Sequence, residues 1–427
     1  MLDQSSEAFN IWTKNWSSPV PTTYQGSDEL AFQRWFKFKE AFSPSLVQSV
    51  IDGLDRRPRH ILDCCGGSGT TGVVAQFLGI ESTLIEVNPF LADLIESKLS
   101  NYQDIDLASA AARVIQRANK CKVDLRALRK RLPPTFIEPG VNGRWIFSKD
   151  VAKTIESYRT AISECTDVTT KRLFTIALAS ILIPVSNVRI DGKGRRYRSN
   201  WQTRCVTSAN VKEAFLGAVG NMIEDIYRHA RVRRANYNLL RGDAREQLKL
   251  IAHDIDLVIF SPPYPNSFDY TDIYNVELWM LGYFSSATDN SDLRHSTLRS
   301  HVQCSWNYEN HALPSKTLAR TLEKLMDVRD TLWDRRLPEM VNSYFSDMRT
   351  LLLESSNKLS PDGKIAMVVG NSSYANVLID VPTILCELAN DIGLDTVSSE
   401  SARAMRSSIQ QGRASKMLAE SLVILSR

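Results

Sequence analysis

A short apolar run that leads into a glycine-rich turn is the feature that most constrains the fold. Residues 59–71 read Arg-His-Ile-Leu-Asp-Cys-Cys-Gly-Gly-Ser-Gly-Thr-Thr, and apolar residues at helical spacing follow over residues 73–78. This order predicts a buried strand that ends at Asp63, then a loop, then a helix. The loop residues expected to admit a ligand or to cap the helix are Gly66, Gly67, Gly69, Ser68, Thr70 and Thr71. Such a unit is typical of α/β proteins whose loop cradles a nucleoside-bearing cofactor.

Two acidic residues follow further predicted strands. Glu86 ends the apolar segment in residues 82–89, about twenty residues after the glycines, where a carboxylate can accept hydrogen bonds from both hydroxyls of a ribose. The order Gly-Ser-Gly-Thr-Thr-Gly in residues 67–72 also fits the dinucleotide fingerprint, so these features leave NAD, FAD and S-adenosylmethionine open. Asp243 follows a third short strand, where it can accept a hydrogen bond from an adenine amino group.

The next predicted strand ends in a stiff turn, because residues 256–264 read Asp-Leu-Val-Ile-Phe-Ser-Pro-Pro-Tyr. Pro262 and Pro263 fix φ and donate no main-chain N–H, so the turn presents carbonyl groups. The Ser261 hydroxyl and the Pro262 carbonyl are suited to accept both N–H groups of an exocyclic amine, which is otherwise a poor nucleophile. Tyr264 offers a flat face for an unstacked base. Alone, the motif also fits a plain proline-rich turn, but after these strands it predicts an amino-group methyltransferase.

These motifs resemble those of the S-adenosylmethionine-dependent amino-methyltransferases of DNA, which make N4-methylcytosine or N6-methyladenine. The family's cofactor motif, commonly Asp-Pro-Phe-x-Gly-Ser-Gly-Thr-Thr, is matched by residues 63–71, with Cys64 and Cys65 in place of proline and phenylalanine. Its catalytic motif is Asp, Asn or Ser before Pro-Pro and an aromatic residue, and the serine version in residues 261–264 is the one most often seen in cytosine-N4 enzymes. Residues 39–46 resemble a family segment that contacts the methionine end of the cofactor.

The resemblance implies an α/β, Rossmann-like class I methyltransferase fold with a mixed seven-stranded sheet, a reversed final strand and a mainly helical inserted domain. It also implies cytosine N4 in DNA as the target and S-adenosylmethionine as the cofactor. The cofactor-binding residues would be Ser43, Asp63, Cys65, Gly67, Ser68, Gly69, Thr70, Thr71, Glu86, Asn88, Asp243 and Ala244. The catalytic residues would be Ser261, Pro262, Pro263 and Tyr264. The methyltransferase domain is expected over residues 1–100 and 237–427, with the insertion over residues 101–236.

The insertion is expected to recognise the target, because an open α/β sheet needs connections of only about 2 to 6 residues. Apolar residues recur at helical spacing in residues 105–115, 151–162, 169–183 and 211–230. A first basic cluster comprises Arg117, Lys120, Lys122, Arg126, Arg129, Lys130 and Arg131. A second cluster, in residues 189–204, is expected to be a mobile loop that contacts DNA, with an ordinary solvated loop as the alternative. Its candidate contacts are Arg195, Arg196, Tyr197, Arg198 and Trp201.

Residues 266–279 are expected to border the pocket for the base. The candidates for contact with a flipped base are Asn266, Asp269 and Tyr270. Apolar side chains at helical spacing are expected in the core instead, namely Tyr274, Leu278 and Trp279. The polar segment 285–339 is a further candidate for DNA contact, and residues 410–413 are expected to form the last loop.

Composition agrees with a large enzyme of the cytoplasm. The 427 residues, 43% of them hydrophobic, are enough for one α/β core and a further domain. Seven cysteines without regular spacing argue against a disulfide framework, and no apolar run approaches the roughly 20 residues that span a membrane. The six histidines lack metal-ligand spacing, so no metal is expected. With a net charge of only +4, any positive field must be local.

Several alternatives stay open. The cofactor loop precedes the catalytic turn, unlike the permuted arrangement common among cytosine-N4 enzymes, so adenine N6 is a rival target. Guanine N2 of structured RNA is another, although that motif usually begins with Asp. A methyltransferase-like chain that binds nucleic acid without turnover is a different class. The expected partner is DNA, and a companion restriction endonuclease is left open.

Overall fold

One mixed β-sheet with helices on its faces organises the chain. The structure is a computed structural model that describes residues 4–191, 194–231, 235–252, 254–308, 312–404 and 418–427. The strands are β1 (His60–Asp63), β2 (Glu81–Glu86), β3 (Val188–Asp191), β4 (Gly194–Tyr197), β5 (Tyr237–Arg241), β6 (Ile255–Phe260), β7 (Leu359–Gly370), β8 (Ser372–Tyr374), β9 (Val377–Ile379), β10 (Asp395–Ala404) and β11 (Ala419–Ser426). Lys193 of the second basic cluster and the predicted last loop in residues 410–413 lie outside the described residues.

The helices alternate with the strands of the sheet and also fill the region before β5. They are α1 (Gln4–Trp12), α2 (Pro44–Asp52), α3 (Thr70–Leu78), α4 (Pro89–Leu99), α5 (Leu107–Lys120), α6 (Leu125–Arg131), α7 (Lys149–Ser163), α8 (Val168–Leu182), α9 (Ser208–Arg228), α10 (Ala244–Gln247), α11 (Tyr270–Ile273), α12 (Asn275–Met280), α13 (Ala287–His295), α14 (Lys316–Asp327), α15 (Leu337–Lys358) and α16 (Val381–Asp391). Across the described ranges, no helix is both long and apolar enough to cross a bilayer.

The main sheet has seven strands in the order β10-β11-β7-β6-β1-β2-β5. Strands β5, β2, β1, β6 and β7 run parallel to one another. The final strand, β11, runs antiparallel to both neighbours, β7 and β10. The predicted α/β, Rossmann-like methyltransferase fold with a mixed seven-stranded sheet and a reversed final strand is therefore confirmed.

The chain order reverses between β1 and β6, and this reversal positions the site. The described side chains of β6 are all buried, and so are those of β1 after His60. Strands buried on both faces are typical of parallel sheets covered by helices. Ligands of open α/β sheets bind beyond the carboxyl ends of the strands at such a reversal. One of the two most specific sequence motifs follows β1 and the other follows β6, so both lie at this reversal.

The start of α3 differs from the sequence prediction. A hydroxyl side chain was expected to cap this helix, but its N-cap is Gly69, with a left-handed φ of 79° and no side-chain cap hydrogen bond. The Thr71 hydroxyl instead donates to the Asp63 carboxylate at 2.6 Å. The start of α3 therefore depends on the left-handed conformation of Gly69. The Thr71 hydroxyl stabilises the end of β1 instead of capping the helix.

The region before β5 forms α5 to α9 and a hairpin of β3 and β4. Apolar side chains of α7 and α8 lie in one buried cluster with those of α3 and α4, so this region packs directly on helices that cover the sheet. The second basic cluster was predicted to be a mobile loop, but β3 and β4 pair antiparallel in a regular hairpin. Arg198 holds the hairpin by donating to the carbonyls of Ile183 and Ser186. Target recognition by this region stays a prediction.

Candidate active site

A cavity of about 500 Å³ opens at the reversal between β1 and β6. Its wall includes the loop in residues 63–68 after β1, Glu86 at the end of β2, Asp243 after β5 and the turn in residues 261–264 after β6. Residues 38–42 from the N-terminal region close another side. The fold thus brings the separately predicted motifs into one space.

Asp63 anchors the loop after β1. Its buried carboxylate accepts hydrogen bonds from the Cys65 N–H at 3.0 Å and the Thr71 hydroxyl at 2.6 Å. Burial raises the pKa of Asp63 to about 6, against the lowering effect of these donors. Gly67 has φ of 52°, and a Cβ there would lie 3.1 Å from the ring of Phe38. The loop conformation therefore requires glycine at this point.

Glu86 lies on the cavity wall and braces the same loop. Its carboxylate accepts hydrogen bonds from the Gly67 N–H at 2.7 Å and from the Asn88 N–H at 2.8 Å. Burial raises the pKa of Glu86 to about 7, although both donors pull it down. Asn88 accepts from Phe90 N–H in turn and caps α4. The carboxylate is held rigidly while still facing the cavity.

Asp243 is part of a chain of ion pairs behind the cavity. It caps α10 by accepting from Arg245 N–H at 2.9 Å, and its carboxylate also accepts from the Arg245 guanidinium. Arg245 donates to buried Asp347 at 2.8 Å, and Arg299 donates to the same carboxylate at 2.7 Å. This chain fixes the orientation of Asp243 from outside the cavity.

Most of the predicted cofactor residues line the cavity, and their roles stay predictions. Those on the wall are Asp63, Cys65, Gly67, Ser68, Thr70, Glu86, Asn88, Asp243 and Ala244. The other three are not among the residues that line the cavity, and their contact with the cofactor stays a prediction. Ser43 is fully buried at the start of α2, a Cβ on Gly69 would meet Ile95, and Thr71 binds Asp63.

The N-terminal segment contributes an aromatic and an acidic group to the wall. The rings of Phe38 and Tyr274 stack nearly parallel, 5.5 Å apart. The Tyr274 hydroxyl donates to the Glu40 carboxylate at 2.7 Å. Burial raises the pKa of Glu40 against the lowering effect of this hydrogen bond. Segment 39–42 lines the cavity as the resemblance implies, and its role toward the cofactor stays a prediction.

The turn after β6 is braced by strands far along the chain. Ser261 Oγ donates to the Val368 carbonyl on β7 at 3.0 Å. Tyr264 Oη donates to the Glu420 carboxylate on β11 at 2.8 Å. Pro262 and Pro263 line the cavity between these two anchors. The turn is therefore fixed at both ends, and its residues line the same cavity as the cofactor loop.

The residues after the turn separate into wall and support. Asn266 and Tyr270 line the cavity, and their contact with a base stays a prediction. Asp269 is not among the lining residues, because its buried carboxylate caps α11 and pairs with Arg294 at 2.6 Å. The three side chains expected in the core are buried, namely Tyr274, Leu278 and Trp279. Tyr274 reaches the cavity as well.

Several parts of the wall were not assigned to the site from the sequence. Residues 296–298, 300 and 301 line it, with His301 almost fully buried. The surrounding segment 285–339 was predicted as a candidate for DNA contact and not as part of this cavity. Glu420 and Arg403 also line it. A carboxylate at the start of β11, whose other residues are apolar or serine, was a compositional signal for Glu420.

The β3–β4 hairpin lies beside the cavity. Lys39, on the cavity wall, donates to the Ile190 carbonyl of β3 at 3.0 Å, and β4 contacts α11. Trp201 packs edge-on against Trp145, and Tyr197 lies 5.3 Å from Trp201 between ring centroids. The exposed and half-exposed candidates for DNA contact are Arg195, Arg196, Tyr197, Arg198 and Trp201. Their contact with DNA stays a prediction.

The polar groups of the cavity are mainly carboxylates, hydroxyls and carbonyls. In the described parts of the chain, no group of three or more His, Cys, Asp and Glu side chains could hold a metal ion. The expectation that the reaction needs no metal stays a prediction.

Comparisons with known proteins point to one class. No protein-family model matches the sequence. The chain is 26% identical over 426 residues to the type II methyltransferase M.BsoBI of Geobacillus stearothermophilus, covering 88% of this chain and 81% of that protein. It is 25% identical over 416 residues to the type II methyltransferase M.AvaI of a Nostoc species, covering 87% of this chain and 81% of that protein.

Among solved structures, the rRNA methyltransferase aviRa from Streptomyces viridochromogenes matches with a TM-score of 0.30 and 10% identity, covering 91% of this chain and 86% of that chain. A TM-score this low supports no conclusion about this chain. S-adenosylmethionine is the methyl donor of a methyltransferase with the fold described above, so the predicted cofactor is confirmed. Over most of its length, the chain is thus similar to type II methyltransferases.

Proposed function

We propose that the chain transfers a methyl group from S-adenosylmethionine to the N4 amine of cytosine in DNA. The observation that carries the proposal is the hydrogen bond from Ser261 Oγ to the Val368 carbonyl at 3.0 Å. Because the hydroxyl hydrogen is committed there, the lone pairs of the oxygen are left to accept an N–H of the amine. The Pro262 carbonyl is the second acceptor, since proline stiffens the turn that presents it.

The chain acts mainly by positioning. The amine of cytosine is a poor nucleophile because its lone pair is delocalised into the ring. Two acceptors that bind its N–H groups favour the tetrahedral nitrogen that forms during transfer. S-adenosylmethionine, when bound, supplies a methyl carbon already activated by its sulfonium. Ser261 and Pro262 therefore need only to hold the nitrogen in line with that carbon, while Tyr264 supports the flat face of the base.

The cavity wall fits this cofactor. Glu86 offers a rigid carboxylate for the two ribose hydroxyls, braced by the Gly67 N–H at 2.7 Å. Asp243 offers an acceptor for the adenine amine, oriented by Arg245. Segment 39–42 forms the wall expected at the methionine end. Glycine at residue 67 leaves room for main-chain contact, since this position has no side chain.

The similarity to type II methyltransferases favours DNA as the substrate of this chain. Type II methyltransferases modify DNA, so the similarity to M.BsoBI and M.AvaI supports methylation of DNA. Serine at the head of the catalytic turn favours cytosine N4 over adenine N6. The hairpin beside the cavity carries exposed Arg196, which suits contact with a phosphate. Because these relatives are type II methyltransferases, we extend the proposal to a companion restriction endonuclease as a partner.

The decisive experiment is mass spectrometry of nucleosides after reaction with S-adenosylmethionine that carries a deuterated methyl group. The purified chain is incubated with duplex DNA and, separately, with a pool of structured RNA. Labelled N4-methylcytosine from DNA is the expected product. Labelled N6-methyladenine would replace cytosine N4 with adenine N6 as the target. Label found only in RNA, or no label at all, would reject the proposed methylation of DNA. A Ser261→Ala preparation made in parallel separates this activity from that of host methyltransferases.

A further inference from the structure

Glu420, on β11, is a buried carboxylate outside the predicted motifs. Its side chain is only 4% exposed and lines the cavity. Oε1 accepts a hydrogen bond from Tyr264 Oη at 2.8 Å, and Oε2 accepts one from Arg403 Nε at 2.7 Å. Burying a carboxylate is costly unless it is both paired and hydrogen-bonded. The pair with Arg403 therefore compensates for the burial of this acceptor beside the turn in residues 261–264.

The Tyr264 hydroxyl is the donor in this arrangement. Burial, followed by the negative charge of Glu420, raises the pKa of the Tyr264 hydroxyl well above its ordinary value. The hydroxyl therefore keeps its hydrogen, and the hydrogen bond runs from the ring to the carboxylate.

Strands β7 and β11 form a common frame for the two ends of the catalytic turn. Ser261 is bound to the carbonyl of Val368, and Tyr264 is bound to Glu420, which pairs with Gly370 across the strands. Val368 and Gly370 are two residues apart on one strand, which corresponds to about 7 Å. The sheet thus sets the separation between the amine acceptor and the aromatic ring.

The ring needs this anchor because the prolines constrain only the main chain. A tyrosine side chain can still rotate about its two torsions. A hydrogen bond at the far oxygen of the ring restricts that rotation. A base held at its amine by Ser261 and Pro262 can stack on Tyr264 only if the ring face is already aligned.

We propose that Glu420 is a positioning residue for methyl transfer, which fixes the Tyr264 ring as the face for the target base by holding its hydroxyl. Arg403 pairs with the Glu420 carboxylate and holds it in place. The inference rests on the proposed function, since the base is the substrate assumed there. In this proposal Glu420 acts through Tyr264, whose hydroxyl it binds.

A double-mutant cycle in the full-length chain tests this role. The variants are Glu420→Ala, Tyr264→Phe and their combination, and the readouts are the single-turnover rate with saturating cofactor and the Kd for the cofactor. Glu420→Ala should slow transfer roughly tenfold, the worth of one charge-assisted hydrogen bond, and leave the cofactor Kd unchanged. The combined variant should be no slower than Tyr264→Phe. Glu420→Gln, which keeps an acceptor oxygen, should recover most of the rate.

One control variant and two possible outcomes decide how the double-mutant cycle is interpreted. Glu400→Ala removes an exposed glutamate from the neighbouring strand β10 and should change neither readout. If Glu420→Ala slows transfer as much in the Tyr264→Phe background, Glu420 acts on another group and the inference is overturned. A loss of cofactor binding or thermal stability that Gln does not repair would mean a structural role and overturn it too.

A spectroscopic test works without turnover. 3-Fluorotyrosine is inserted at position 264, and its ¹⁹F spectrum is compared between the parent chain and Glu420→Ala. A fixed ring should give sharp resonances shifted from those of the free amino acid, and Glu420→Ala should move them toward the free position. Unchanged resonances would overturn the inference. If the resonances move as expected but the parent chain shows no transfer activity, the proposed function is rejected, and only the fixing of the Tyr264 ring by Glu420 is retained.

Discussion

Two parts of the cavity wall are held in place in different ways. In the cofactor half, meaning the loop in residues 63–71 together with Glu86, polar groups find partners close in sequence, with Asp63 and Thr71 only 8 residues apart and Glu86 and Gly67 only 19 apart. In the catalytic half, meaning the turn in residues 261–264 that is predicted to be catalytic, the partners of Ser261 and Tyr264 lie 107 and 156 residues further along the chain. The first half is a local motif across neighbouring strands, and the second exists only once the whole sheet has closed.

This difference predicts where perturbations act. Changes in the cofactor loop should affect cofactor binding whatever the state of distant strands. Changes on β7 or β11 should misplace the catalytic turn while the cofactor half stays intact, because regions of a protein differ in local stability. The following experiments test that separation, beginning with the largest expected effect.

Gly67→Val should weaken cofactor binding by about a hundredfold or more. The residue would adopt a left-handed φ of 52° with its Cβ 3.1 Å from Phe38, so both backbone strain and overpacking distort the loop. Calorimetric titration with S-adenosylmethionine measures the loss. Gly143→Val is the matched control, since Gly143 has φ of 68° and open space around it. Equal weakening in both variants would show that strain alone, rather than the cofactor loop, governs binding.

Ser261→Ala should slow methyl transfer roughly ten- to a hundredfold, because it removes an acceptor for an amine that develops positive charge. The cofactor Kd should stay the same, since Ser261 is anchored to β7 and not to the cofactor loop. Single-turnover kinetics with labelled cofactor and equilibrium titration measure the two quantities. A loss of cofactor affinity equal to the loss of rate would contradict the separation between the halves.

Cofactor binding should strengthen as the pH rises through about 7, the raised pKa of buried Glu86. Below that value the free protein holds Glu86 protonated, so binding to the ionised carboxylate must release a proton. The Kd should then fall by up to about tenfold per pH unit and level off above the pKa. Titrations from about one unit below to one unit above that pKa measure the slope. The Glu86→Gln variant should bind the cofactor weakly, and its Kd should not depend on pH in this range. If the variant keeps the slope of Kd against pH, another group titrates.

Arg196→Ala should weaken DNA binding severalfold and reduce the slope of log affinity against log salt by about one. Arg196 is exposed on β4 beside the cavity, so cofactor binding should not change. Fluorescence anisotropy of labelled duplex DNA over a salt series gives the slope. Arg126→Ala, on exposed α6 in the first basic cluster, is the control. Equal effects from both variants would indicate diffuse charge rather than contact by the hairpin.

The motifs closest to strand ends were predictable from sequence. The loop in residues 63–71, Glu86 and the turn in residues 261–264 each follow a short apolar strand, and the carboxyl ends of parallel strands meet at one edge. This rule predicts that all three border one cavity. Each of these motifs is a local sequence pattern, so it can be recognised without knowledge of the packing.

Other details required the packing. Gly69 rather than a hydroxyl residue starts α3, because the loop enters the helix in a left-handed conformation. Asp269 faces Arg294 rather than the cavity, although its neighbours Asn266 and Tyr270 line the wall. The hairpin in residues 188–197 was predicted as a loop, since arginine-rich strands lack the apolar alternation that indicates a strand.

The amino-acid sequence alone was enough to predict the class of fold, the cofactor and a turn suited to catalysis, because each prediction depends on a short segment whose residues act together locally. Only the tertiary structure decided which of those residues line the cavity, and it added Glu420, Arg403 and residues 296–298, 300 and 301 to the wall. Their contribution depends on pairing between β7 and β11 and on the packing of segments far apart in the chain. Such contacts leave no periodic or spacing signal, since they form only when the sheet closes.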